Sequence, residues 1–171
     1  MLISEKMNAA LNEQVGHEFG ASLQYVAIAA YFDSDNLPEL AAHFYRQADE
    51  ERDHAMRFVN YVVDAGGKVA LPAVPAPKSG FASAEEAVKL SVDWELTVTK
   101  QINALVDLAI KETDHTTQNF LQWFVTEQLE EVSSMERLLS MIRRAGANLL
   151  FVEDYLARHG GGGKEAAAEA E

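Results

Sequence analysis

Apolar residues recur along four long segments of the chain at alternating steps of four and three, the spacing that places side chains on one face of an α-helix. Ser4 and Ser83 stand at the start of the first and third segments, and serine is a preferred capping residue at helix N-termini. At 1.5 Å per residue, each segment predicts a helix about 40 Å long. The predicted helices cover residues 4–32, 37–65, 84–112 and 116–144.

The connections between these segments predict how the helices are arranged. Short breaks at "SDNLPE" and "TDHT" join helices one and two, and helices three and four, as antiparallel hairpins. The connection from Ala65 to Ser83 is much longer and holds three of the four prolines. Extended, it would reach about 60 Å, which is enough to run the length of a bundle. A long crossover between two antiparallel pairs is a known four-helix-bundle topology.

The C-terminal part predicts a short fifth helix and a tail. "NLLFVEDYLAR" (148–158) follows Gly146 and is helical in pattern, whereas "GGGGKEAAAEAE" is a glycine-rich, low-complexity end. We therefore expect an all-α fold, with one domain over residues 1–158 and a flexible Gly/Ala/Glu-rich tail over 159–171. The long crossover joins helices two and three.

The composition of the chain limits which partners and cofactors it can bind. A net charge of −13 disfavours binding to nucleic acid and to anionic membranes, and favours the attraction of cations. The chain has no cysteine, which excludes disulfides and sulfur-ligated metals. The start "MLISEKMNAAL" shows no signal peptide, and the apolar run "YVAIAAYF" is much shorter than the ~20 residues of a membrane span. We expect a cytoplasmic protein that binds neither nucleic acid nor membranes.

Carboxylates interrupt the apolar face of all four long helices near their middles. Several uncompensated carboxylates in a dry core would each cost several kcal/mol, and these faces offer no Lys or Arg to neutralise them. Two divalent cations would do so, and oxygen and nitrogen ligands without sulfur suit iron or manganese, with zinc as a competitor. The alternatives are a buried salt-bridge cluster or acids that face solvent. The interrupting residues are Glu18, Glu51, His54, Glu95, Gln128 and Glu131.

Their spacing repeats. The separation in sequence between Glu18 and Glu51 equals that between Glu95 and Gln128. A second spacing is shared by three pairs of residues, which are Glu18 and Glu95, Glu51 and Gln128, and His54 and Glu131. Two helix pairs related by a pseudo-two-fold axis would bring these side chains to one level of the bundle, as in di-iron carboxylate bundles. The second half reads Gln-x-x-Glu where a perfect repeat would read Glu-x-x-His.

These residues make the chain resemble a non-haem bacterial ferritin, in the ferritin-like di-iron carboxylate family. The similarity covers about residues 4–158 and includes "QYVAIAAYFDS", "HFYRQADEERDHA" and "QWFVTEQLEEV". The resemblance implies a ferritin-like four-helix bundle that oxidises Fe²⁺ with O₂ or H₂O₂ at a di-iron ferroxidase centre. It also implies storage of the ferric mineral inside a hollow shell of 24 identical subunits.

The resemblance also assigns the ligands. Glu18, Glu51 and His54 would bind one iron, and Glu51, Glu95 and Glu131 would bind the second, so that Glu51 bridges the two. The bridge would bring both ions into one site.

Further residues match family positions around this centre. Gln128 matches a glutamine beside the second iron, and Tyr25 matches a tyrosine that hydrogen-bonds a ligand or donates an electron. A buried tyrosine with a satisfied hydroxyl is the plain alternative. Glu50, Glu127 and Glu130 match a third, weaker iron site of prokaryotic ferritins, and a solvated acidic face is the alternative there.

Three other positions carry expectations. Haem-binding bacterioferritins have a methionine directly after the bridging glutamate, and Arg52 stands there, so we expect no haem. Asp114 lies where ferritins line their three-fold pores, which makes it a candidate on the iron uptake route, but it also suits a helix cap. Gly16 and Gly20 flank Glu18 at a helix cost of ~1 kcal/mol each, which predicts close approach of a neighbouring helix.

Two other functions fit parts of the pattern. One is a di-iron oxidase or peroxidase without storage, of the rubrerythrin kind, although the Cys-rich domain usual in that family is absent from this sequence. The other is a structural helical module without metal chemistry, which leaves the repeated spacing unexplained.

Overall fold

The computed structural model describes residues 2–160, and helices account for nearly all of its regular structure. The predicted all-α bundle with a short C-terminal helix is confirmed, and each helix end lies within two residues of its predicted position. The helices are α1 (Glu5–Ser34), α2 (Pro38–Asp64), α3 (Ala84–Glu112), α4 (His115–Ala145) and α5 (Leu150–His159). The predicted tail lies outside the described residues except for His159 and Gly160, which end α5, so the boundary between domain and tail stays a prediction.

Side chains before the first turns fix where three of the long helices begin. The side chains of Ser4, Ser83 and Asp114 each accept a backbone N–H from the first turn of α1, α3 and α4. Such caps satisfy donors that have no partner inside the helix. The capping alternative for Asp114 is therefore observed.

The start of α2 has a different cap, supplied by α5. Leu37 at this N-cap offers no side-chain acceptor. Instead, the buried carboxylate of Glu153 accepts the backbone N–H groups of Glu39 and Leu40 at 2.9 and 2.8 Å. A carboxylate is favoured at this end of a helix by the helix dipole. This contact attaches α5 to one end of the bundle.

The crossover between α2 and α3 lies along α1 and is held there by amide side chains. Asn12 donates to the Lys68 carbonyl at 2.9 Å and accepts the Ala70 N–H at 2.7 Å. A Cβ on Gly16 would overlap Pro72 of the crossover, so the predicted close approach at this glycine comes from the crossover and the expectation of a helix was wrong. At Gly20 the expectation holds, because a Cβ there would lie 3.4 Å from the ring of Trp94 on α3.

The hydrophobic core is divided into two clusters by a polar layer near the middle of the bundle. On α1, Val15 belongs to one cluster and Ala21 to the other, with Glu18 between them. The other three long helices show the same order of apolar, polar and apolar residues. Burial of the two clusters provides the main driving force for folding, and the layer between them contains the candidate site.

Candidate metal centre

All six polar residues predicted to meet at mid-bundle are buried in the structure. Each is at most 4% exposed, although glutamates, which make up four of the six, are almost never fully buried unless paired. α1 and α2 supply the residues of the first half-repeat, and α3 and α4 supply those of the second. The six are Glu18, Glu51, His54, Glu95, Gln128 and Glu131.

The first half-repeat forms a compact group of possible metal ligands. Glu18, Glu51 and His54 each offer one ligand atom, and these atoms lie within 4.8 Å of one another. His54 Nδ1 lies 3.4 Å from Glu51 Oε2. One oxygen of Glu18 accepts a hydrogen bond from Gln14 at 2.9 Å, and the other accepts none from the described residues. The three ligands predicted for one metal ion therefore lie together.

Glu95 lies in the same layer, but both of its carboxylate oxygens accept hydrogen bonds. The Tyr25 hydroxyl donates to Oε1, and the Gln128 amide donates to Oε2 at 3.1 Å. The same amide nitrogen lies 3.2 Å from the Glu95 carbonyl and 3.3 Å from the Thr99 hydroxyl. Glu95 is not in either of the compact ligand groups among the described residues. A metal ion bound by Glu95 would have to compete with these donors or share the oxygens with them.

A second compact group extends from His54 towards α4. His54, Glu127 and Glu131 each offer a ligand atom within 4.8 Å of the others. The Nε2 atom of His54 lies 3.7 Å from Glu127 Oε1. Of the three acids predicted for a third site, Glu127 is buried, whereas Glu50 is half-buried and Glu130 is exposed. The structure thus brings Glu127 to the centre and leaves Glu130 at the surface.

Burial and mutual repulsion hold these acids towards their neutral forms. Burial, followed by repulsion from Glu51, raises the pKa of Glu18 well above its usual value, and burial likewise raises that of Glu51. Burial, followed by the charge of Glu95, raises the pKa of Glu131 to about 8. Burial also raises the pKa of Glu95, but the hydrogen bonds from Tyr25 and Gln128 oppose that rise.

The pKa of His54 moves in the direction expected beside acids. Burial lowers this pKa, but Glu127, Glu18 and Glu131 together raise it by more, so the net shift is upward. No Lys or Arg in residues 2–160 forms an ion pair with Glu18, Glu51 or Glu131. These three buried acids therefore lie beside an imidazole and form no ion pair with a Lys or Arg of the described residues. Divalent cations would bind to such a set with release of protons.

Two residues near the centre are not among the site residues predicted from the sequence, namely Gln14 and Trp123. Gln14 is buried one turn before Glu18, and its place beside an apolar face was the available signal. Trp123 is half-buried, and its ring centre lies 5.4 Å from that of His54. The Arg57 guanidinium lies 3.9 Å from the Trp123 ring centre, on the surface side. The Trp123 ring thus packs against the imidazole of His54 in an edge-to-face arrangement, and Arg57 contacts the Trp123 ring.

The fold and the buried layer define a class of protein, the four-helix bundles with a carboxylate and histidine metal site in the core. The Ferritin-like domain family model matches residues 8–145, so the chain belongs to the ferritin family. Membership of this family implies iron storage. Among the described residues no helix has the length and apolar character needed to span a membrane.

Individual relatives agree with this assignment. The chain is 44% identical over 156 residues to Ferritin BfrB of Mycolicibacterium smegmatis, covering 91% of this chain and 86% of the relative. It is 37% identical over 153 residues to the bacterial non-heme ferritin of Staphylococcus aureus, covering 88% and 92%. An open-pore ferritin from the archaeon Archaeoglobus fulgidus superposes with a TM-score of 0.88 at 39% identity, covering 91% of this chain and 96% of that one.

Proposed function

We propose that this chain is a ferroxidase subunit that oxidises Fe²⁺ at a di-iron centre in the polar layer and delivers Fe³⁺ for storage. The observation that carries the proposal is the burial of four carboxylates and one imidazole at one level of the bundle. Among residues 2–160, no Lys or Arg forms an ion pair with Glu18, Glu51 or Glu131. Such a cluster is costly for a folded protein unless cations bind there. Family membership supports iron as the cation.

The proposed ligand sets follow the two half-repeats. Fe²⁺ at the first position binds Glu18, Glu51 and His54, which already lie together. Fe²⁺ at the second binds Glu51, Glu95 and Glu131, with Glu51 shared. Carboxylates are hard ligands, so they favour the ferric product over the ferrous substrate. Two Fe²⁺ together supply two electrons, which with two protons from solvent reduce O₂ to H₂O₂, or H₂O₂ to two molecules of water.

Other side chains act on this chemistry from close by. Tyr25 donates a hydrogen bond to Glu95, which supports a role in holding that carboxylate or in supplying a further electron. Gln128 presents a neutral amide, which limits the negative charge at the second position. Glu127 is the inner member of a third iron site, with Glu50 and Glu130 further out. This site would bind more weakly, because its outer members keep more of their hydration.

The assembled form in the proposal is a hollow shell of 24 subunits in the cytoplasm. The acidic balance of the chain, with a net charge of −13, would draw Fe²⁺ towards it. We expect residues 1–158 to form the shell and 159–171 to be a separate tail. Arg52 lies where haem-binding bacterioferritins have a methionine, which supports a shell that binds no haem.

Sizing the purified protein and adding Fe²⁺ in air tests this function. We expect a particle of 24 subunits that oxidises many irons per chain and retains them as mineral. A small oligomer that stops after two irons per chain would instead indicate an oxidase without storage. A protein that neither binds nor oxidises Fe²⁺ would leave only a structural module, and the proposal would fail.

A further inference from the structure

The side chain of Gln14 makes a contact within the polar layer that the ligand sets do not use. It lies on α1 one turn before Glu18, is 2% exposed, and its Nε2 donates to Glu18 Oε1 at 2.9 Å. The other oxygen, Glu18 Oε2, is buried and accepts no hydrogen bond from the described residues. The two oxygens of the Glu18 carboxylate thus differ in whether they accept a hydrogen bond.

The matching position of the second half-repeat lacks this donor. Ser91 precedes Glu95 by the same single turn that separates Gln14 from Glu18. Its hydroxyl donates instead to the Ala87 carbonyl at 3.3 Å, so Glu95 receives no hydrogen bond from that position of its own helix. The donors to Glu95 come from Tyr25 on α1 and Gln128 on α4. Glu18 is therefore oriented by a donor on its own helix, whereas Glu95 is oriented by donors on two other helices.

The hydrogen bond from Gln14 restricts how the Glu18 carboxylate turns. A buried amide that lost this acceptor would pay the full penalty of an unsatisfied donor, so the pair holds its geometry. With Oε1 held towards Gln14, the direction of Oε2 is set as well. Groups that fix a metal ligand in this way commonly change metal affinity by 10–100-fold when they are removed.

We propose that Gln14 is a positioning residue that holds Glu18 Oε1, so that Oε2 is the oxygen presented to the metal ion shared with Glu51 and His54. The inference rests on the proposed function, because it assumes a metal ion at the first position. It adds that different residues set the metal affinity of the two positions. Gln14 acts on the position bound by Glu18 and leaves the one bound by Glu95 and Glu131 alone.

The test replaces Gln14 by methionine, which keeps an unbranched side chain of similar length and removes the amide donor. Co²⁺ is the probe, since it binds carboxylate and imidazole ligands and its visible absorption reports its coordination. Titration with Co²⁺, followed by calorimetry and by absorption, resolves the two positions. We expect Gln14→Met to weaken one Co²⁺ position about tenfold, to change its absorption bands, and to leave the other position unchanged.

Gln24→Met is the matched control. Gln24 is also a buried glutamine of α1 at 2% exposure, but its amide bonds the backbone of Lys78 in the crossover at 2.8 and 2.9 Å. We expect this variant to lose stability and to keep both Co²⁺ affinities. If it weakens Co²⁺ binding as much as Gln14→Met does, the effect is a general loosening of α1 and the inference is overturned.

The remaining outcomes separate this inference from the proposed function. Gln14→Leu, which also removes the amide donor, repeats the test if the methionine variant does not fold, and should show the same selective weakening. Wild-type protein that binds two Co²⁺, with variants that bind both at wild-type affinity, would overturn the role of Gln14 alone. Wild-type protein that binds no Co²⁺ at all would overturn the proposed function, and this inference with it.

Discussion

Replacing Glu131 by glutamine should stabilise the metal-free protein, by an amount that grows with pH. Glu131 is 4% exposed, and burial together with the charge of Glu95 raises its pKa from 4.5 to about 8. An acid whose pKa is higher in the folded state favours folding below the unfolded pKa, and this contribution is lost as the pH rises towards the folded pKa. Glutamine has a similar shape and carries no charge, so the variant lacks this pH-dependent loss.

The size of the effect follows from the two pKa values. At about 1.36 kcal/mol per pH unit, the Glu131→Gln variant should exceed wild type in free energy of unfolding by about 1 kcal/mol at pH 5.5 and about 3 kcal/mol at pH 7. Above pH 8 the difference in free energy of unfolding should level off near 5 kcal/mol, because the folded and unfolded pKa values of Glu131 differ by about 3.5 units. For a chain of this size, 3 kcal/mol corresponds to a rise in Tm of about 6–12 °C.

The assay is thermal unfolding of both proteins in a chelator between pH 5.5 and 8.5, followed by far-UV circular dichroism. Glu130→Gln is the control, because it removes a neighbouring but exposed carboxylate and should change stability by no more than about 0.5 kcal/mol. A Glu131→Gln variant that melts below wild type at pH 7 would refute the reasoning. So would a difference that does not shrink as the pH falls.

Three further predictions concern the metal ions themselves. Glu51→Leu should leave the metal-free protein at least as stable as wild type, with a gain of up to ~4 kcal/mol. The variant should also lose most of the rise in Tm that anaerobic Fe²⁺ gives wild type. If the metal-free variant does not fold, Glu51 has a structural role instead. Glu130→Ala should keep two tightly bound Fe²⁺ per chain but alter the ratio of iron to O₂ consumed, and loss of all fast oxidation would place Glu130 in the central site. Because Arg52 replaces the methionine ligand, protein mixed with haem should show no bis-methionine Soret band, and stoichiometric haem would contradict this.

Helix positions and the level of the site were predictable from the sequence because both depend on periodicity. Steps of three and four place Glu18 and Glu51 on buried faces, and the repeated spacing sets them at one level. Periodicity does not determine rotamers. The engagement of both Glu95 oxygens by Tyr25 and Gln128 depends on side-chain angles and on how closely the helices approach.

Contacts made by loops and by the short helix were also beyond the sequence pattern. Nothing in the local sequence indicated that Pro72 would pack on Gly16, because a proline-rich connection has no period that fixes which surface it follows. The cap that Glu153 supplies to α2 likewise joins positions that are far apart in the sequence. Gln14 could have been found from its spacing, as it stands one turn before Glu18 on the same helix.

The central claim is that two iron ions bind in the polar layer of each subunit, and X-ray diffraction at the iron absorption edge tests it most directly. Crystals soaked anaerobically with Fe²⁺ should show two strong anomalous peaks per chain in this layer, apart from any weaker peak at the third site. One should lie within coordinating distance of Glu18, Glu51 and His54, and the other within that of Glu51, Glu95 and Glu131. No peak in this layer, or iron bound only among surface acids such as Glu130, would contradict the account.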